Sequence, residues 1–183
     1  MLRGAMYYQK NREKLIEIQN KVLQDKDVQP GYPTWGGHVK KKLPYEPGQQ
    51  KGITWCNRGA ERIARLAGAD TKPILHRKGI GHTNANGMYK YAVKSAKRKI
   101  IREIDIETAQ ILSWNGFVIL ATAKCVKGNR PGHVVILRPT PLGEEQLCAN
   151  IGGLMGVMTV KKVFNVNYLS PIKYFLLPRK EKS

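Results

Sequence analysis

Two short runs, Phe117-Val118-Ile119-Leu120-Ala121-Thr122-Ala123 and Val134-Val135-Ile136-Leu137, constrain the fold more than anything else in this sequence. Their length and β-branched content predict buried strands. The link between them includes Lys127-Gly128-Asn129-Arg130-Pro131-Gly132, a turn by composition. A connection that short cannot hold a crossover, so the two strands must run antiparallel. Leu147 to Ile151 and Met158 to Val163 are expected as shorter strands on either side of the flexible Gly152-Gly153-Leu154-Met155-Gly156. Tyr174 to Leu177 is expected to close the sheet before a charged end.

The earlier part of the chain has a different period. From Met6 to Gln24, Leu15, Ile18 and Val22 recur at helical spacing among charged residues, which predicts an amphipathic packing helix. Ala60, Ile63, Ala64 and Ala67 repeat that spacing until Gly68 supplies a stop. The period returns at Met88, Tyr91 and Ala92, where the bases from Lys94 to Lys99 suit a helix C-terminus, and again over Asp105 to Leu112. Helices first and an antiparallel sheet afterwards define an α+β domain. The expected organisation is an amphipathic helix with a Pro/Gly-rich basic connector over residues 1–49, the main domain over 50–177 and a charged tail over 178–183. The connector's run Lys40-Lys41-Lys42 reads as a solvated loop.

With 183 residues there is chain enough for one sizeable core. Charge is the unusual feature, because 32 lysines and arginines stand against 13 acids for a formal net charge of +19. It is spread along the chain, +4 over residues 1–50, +8 over 51–110 and +7 over 111–183. That predicts polyanionic surroundings, such as nucleic acid, an anionic membrane surface or the acidic polymers of a bacterial cell wall, with no dedicated basic arm. No apolar run is long enough to span a membrane, and the first ten residues lack the pattern of a signal peptide. A target outside the cell therefore implies delivery by another route, as for a phage-associated protein.

Cys56, Cys125 and Cys148 form no Cys-x-x-Cys pair, which speaks against a disulfide scaffold or a zinc site; no metal or organic cofactor is expected. Of the three, Cys56 opens a readable helix. Unpaired N–H groups and the positive end of the helix dipole there favour an anion, and the thiolate is the reactive form of cysteine. A nucleophile of this kind needs a base, and His133 stands after Pro131-Gly132 at the mouth of the strand Val134 to Leu137. The base needs an orienting acceptor, which Asn150 on the next strand offers, although Asn150 could equally serve the turn before Gly152. Strand alternation puts Cys148 on the face of Asn150, near the site but without a helix dipole. His76 and His82 lie in a polar loop and are expected to be bystanders.

The pieces Thr54-Trp55-Cys56-Asn57, Pro131-Gly132-His133-Val134-Val135-Ile136 and Ala149-Asn150-Ile151-Gly152, with the segment Ala85-Asn86-Gly87-Met88-Tyr89, resemble the papain-like superfamily in its compact bacterial and phage form, the NlpC-type peptidases and CHAP amidases. The resemblance covers roughly residues 50–177. It implies a papain-like α+β fold, its nucleophile at a helix start packed on the sheet, and cleavage of amide bonds in peptidoglycan by Cys56, His133 and Asn150. It also implies an oxyanion-hole glutamine shortly before the cysteine, a place that Gln50 occupies. The sequence departs from the NlpC-type pattern at Trp55-Cys56-Asn57, where that group has Asp-Cys-Ser, so the bond cut does not carry over. The implied partner is peptidoglycan or another anionic wall polymer. Two other classes stay open on the sequence: a nucleic-acid-binding protein acting through charge alone, and a phage or secretion structural protein on a degenerate hydrolase fold.

Overall fold

The computed structural model describes residues 2–25, 55–80, 83–127, 132–151, 155–167 and 169–180. The connector with Lys40-Lys41-Lys42, Gln50, Thr54 and His82 lie outside them. The helices are α1 (Leu2–Gln24), α2 (Trp55–Leu66), α3 (Ala85–Lys97), α4 (Ile106–Trp114) and α5 (Val160–Phe164). The strands are β1 (Arg102–Ile104), β2 (Ile119–Ala123), β3 (His133–Leu137), β4 (Leu147–Asn150), β5 (Gly156–Thr159) and β6 (Lys173–Leu176). They form one antiparallel sheet of six strands in the order β1-β6-β2-β3-β4-β5. The architecture is mixed α+β, with helices ahead of a largely C-terminal sheet. Among the described residues no helix is long and apolar enough to cross a membrane.

Alternation along β2 and β3 explains why both read as continuous apolar runs. Leu120, Val134 and Ile136 face a core shared with Leu15 and Val22 of α1, Ile63 of α2 and Met88 of α3. Ile119, Ala121, Val135 and Leu137 face the opposite side, where they meet Ala109 of α4 and Phe164 of α5. A strand covered on both faces has no polar side to show. Gln19, 0 % exposed among the apolar residues of α1, donates from Nε2 to the Leu137 carbonyl at 2.8 Å and so ties α1 to the end of β3.

Three expectations need correction. Met158 to Val163 is not one strand: β5 stops at Thr159, whose side chain accepts from the Lys162 N–H at 3.3 Å and caps α5. Val160 and Phe164, four apart, are then buried as neighbours about 6 Å apart on one helical side, where an extended chain would hold them about 13 Å apart. The last strand does not close the sheet, since β6 lies inside it between β1 and β2. The edge on that side is β1, a short segment whose Arg102 and Glu103 are exposed and carry no apolar alternation to reveal it. Finally, the first helix begins at Leu2 and not at Met6.

Candidate active site

Cys56 is the second residue of α2 and only 5 % exposed. Its helix is placed by a buried stripe of Ala60, Ile63 and Ala64 and closed at Gly68, which takes φ +83 while Ala69 N–H bonds back to the Ala64 carbonyl. One contact sets the depth of α2. Gly59 stands against Ile151 so closely that a Cβ there would lie 2.2 Å from Ile151 Cδ1 and 2.8 Å from its Cβ. Glycine in a helix interior costs about 1 kcal/mol relative to alanine, and here it allows helix and strand end to touch. Asn57, the next residue after the thiol, is buried and donates from Nδ2 to the Thr83 carbonyl, fixing the loop that leads into α3.

His133 is the first residue of β3 and half-buried. Its position is set by Gly132, where a Cβ would come within 2.5 Å of the Ala123 carbonyl and 2.6 Å of Asn86 Oδ1. Asn86 belongs to the first turn of α3, and the same Oδ1 accepts from the Cys125 N–H at 2.8 Å. The end of α3 is thereby fastened to the end of β2, with Gly132 filling the remaining space.

The imidazole of His133 joins the other two candidates. Nε2 lies 2.8 Å from Asn150 Oδ1, and Cys56 is hydrogen-bonded to the same ring, to which Nδ1 remains available. The register Ile136↔Ala149 and Leu137↔Cys148 extends to place Asn150 one diagonal step from His133 on the same face. Asn150 ends β4, and its oxygen meets the ring there. Because α2 packs on the opposite face, Cys56 reaches the ring around the strand end where β3 begins. Phe164 of α5 completes the setting, its ring edge-on to the imidazole at 5.2 Å between centroids.

Two opposed effects act on the imidazolium of His133. Burial pushes its pKa down, but the hydrogen bond to Cys56, the charge of that thiolate and the bond to Asn150 together raise it above its ordinary 6.5. The arrangement thus favours an imidazolium beside a thiolate. Arg58, buried two residues along α2, is brought down by burial to about 10 while Glu61 pushes the other way, so it stays protonated at neutral pH. Cys148 behaves differently. It is buried with Val135 and Leu137, and burial holds its thiol up at about 12, which leaves it protonated and unreactive near neutrality.

His76 turns its ring toward Tyr91, centroids 6.0 Å apart, and accepts the Lys78 N–H at Nδ1, a loop-holding role. Among the described residues no three His, Cys, Asp or Glu side chains converge as metal ligands. Sequence reasoning does not single out Gly59, Asn86 or Phe164 individually. Gly59 carries a local signal, a glycine in the middle of a helical period, whereas Phe164 carries none while its segment reads as a strand. Compared with known proteins, the sequence matches no family model and no curated protein.

Proposed function

We propose that this protein is a thiol-dependent amide hydrolase whose site is Cys56, His133 and Asn150. The observation that carries the proposal is the single imidazole hydrogen-bonded on one side to a helix-start cysteine and on the other to Asn150 Oδ1. Such a ring has one nitrogen to exchange a proton with the nucleophile and one held in a fixed tautomer.

In the proposed reaction the Cys56 thiolate attacks the amide carbonyl carbon, and the electron pair moves to oxygen. The backbone N–H groups at the start of α2 are suited to meet that oxyanion. His133 gives its proton to the departing amine as the C–N bond breaks, leaving a thioester on Cys56. A water then gives its proton to His133 and attacks the thioester, releasing the carboxylic acid and restoring the thiolate–imidazolium pair. Asn150 keeps the ring aimed in both halves. We place the fold in the papain-like superfamily and the substrate in peptidoglycan, as the resemblance around Cys56 and His133 implies and as a charge of +19 suits on an anionic wall.

Digestion of purified peptidoglycan, followed by mass analysis of the fragments, tests this. Wild type is expected to release fragments bearing new amines and carboxyls that name the bond, and Cys56→Ala, folded as judged by circular dichroism, to release none. Full activity in Cys56→Ala would sink the proposal. Gln50→Ala in the same assay tests the expected oxyanion role of that glutamine.

A further inference from the structure

From Thr71 to Arg102 the chain has nine lysines and arginines and not one carboxylate. The fold gathers much of this charge onto one surface. Lys90, Lys94 and Lys97 are exposed at four- and three-residue spacing, so they form a stripe along one side of α3. The turn Lys72–Ile74 lies against the same helix, with Ser95 Oγ donating to the Pro73 carbonyl at 2.7 Å, and its Lys72 is exposed. At its C-terminal end the stripe runs into a groove of about 790 Å³ lined by Lys97, Lys99, Arg102 and Arg179 over Ile100 and Phe117. Lys99 occupies the left-handed region at φ 59, where glycine is usual and any other residue costs about 1 kcal/mol. The acid bordering this groove, Glu103, is engaged by Lys173.

The other end of α3 is the end that fastens the candidate site. Asn86 sits there against Cys125 and against Gly132, the neighbour of His133 in the chain, and Ala85 shares a core with Cys56. At 1.5 Å per residue the helix is a track of about 20 Å between the thiol and the groove. Its cations are mostly lysines, point charges rather than the planar forks that read base edges. Of the rings on this helix, Tyr91 meets His76 and Tyr89 lies under Lys124 at 5.9 Å, so the stripe offers no row of open aromatic faces for stacking bases.

We propose that the α3 face, from Lys90 to the groove beside Lys99 and Arg102, binds a linear polyphosphodiester of the bacterial wall, a polymer of phosphates without bases. This holds attached peptidoglycan at the end of α3 where Cys56 and His133 meet. The identity of the polymer rests on the wall-hydrolase proposal, but its binding does not require catalysis. The test therefore uses the full chain carrying Cys56→Ala, titrated with poly(glycerol phosphate) over a series of salt concentrations. Lys90→Gln, Lys94→Gln and Lys97→Gln together are expected to weaken binding at least ten-fold, and to lower the salt slope by about two, at about 0.7 for each phosphate no longer neutralised along a flexible strand. Lys14→Gln, Lys161→Gln and Lys162→Gln remove the same charge elsewhere and are expected to leave affinity nearly unchanged. Equal losses in the two triple variants, or no measurable binding of the polymer, would overturn the proposal. Tighter binding of duplex DNA than of the polymer would overturn it in favour of a nucleic-acid surface. An active Cys56→Ala enzyme would instead remove the hydrolase proposal and leave this binding result standing.

Discussion

Replacing Gly59 by alanine tests how the thiol is held at its depth. The new Cβ would lie 2.2 Å from Ile151 Cδ1, 2.8 Å from Cβ and 2.9 Å from Cγ1, whereas ordinary contact begins at 3.4 Å. The Cδ1 methyl can rotate away, but Cβ cannot, so α2 must retreat by at least 0.6 Å, the gap between 2.8 and 3.4 Å, and by up to 1.2 Å if Ile151 keeps its rotamer. Overpacking of this kind costs about 1–3 kcal/mol, offset by about 1 kcal/mol from the better helix propensity of alanine. The net loss of stability is therefore modest, on the order of 1 kcal/mol. Activity should suffer more, because Cys56 lies one turn away on the same rigid helix and a shift of about 1 Å at a reacting atom costs on the order of 100-fold. We expect kcat/KM on peptidoglycan, and the rate of Cys56 alkylation by iodoacetamide, to fall about 10- to 100-fold while the urea midpoint moves little. Ile151→Val in the same background removes the 2.2 Å clash and is expected to restore part of the rate. A Gly59→Ala enzyme with wild-type kcat/KM would refute the argument that this contact positions the nucleophile.

Other residues of the site give separate outcomes. The bond to Asn150 helps raise His133 above 6.5, so Asn150→Ala should move the alkaline limb of the kcat/KM profile to lower pH, and an unmoved limb would count against the pairing. The sign for stability agrees: a raised folded-state pKa contributes stability that is complete below pH 6.5 and is lost as pH climbs through the folded value, so Asn150→Ala should be relatively less destabilised above that window in pH-dependent melts. Cys148, with its thiol held up at about 12, should be dispensable to chemistry; Cys148→Ala is expected to keep the alkylation rate at neutral pH and to lose only about 1 kcal/mol in urea melts. Asn86→Ala removes the acceptor of the Cys125 N–H and the wall against Gly132, and is expected to lower kcat about ten-fold with KM little changed, a loss of about 1.4 kcal/mol in positioning, whereas Asn86→Asp keeps the oxygen and should recover most of the rate.

Local periodicity determined much of this protein. The dihedral repeat of a helix or a strand is written into consecutive residues, so the stripe Ala60, Ile63, Ala64 and the runs in β2 and β3 could be placed from the sequence, as could their antiparallel sense from the short link. The candidates Cys56, His133 and Asn150 were legible too, because a thiol at a helix start, a histidine at a strand mouth and an amide on the next strand are each local features. What joins them was not legible. Only the tertiary structure decided that Asn150 Oδ1 meets Nε2, and that α2 reaches the ring around the end of β3. It alone decided that β6 enters between β1 and β2, since strand order depends on pairings between residues as distant as Glu103 and Phe175. Val160 to Phe164 became a helix because Thr159 caps its first turn and the core seats Val160 and Phe164 one helical turn apart, which outweighs the β preference of the segment.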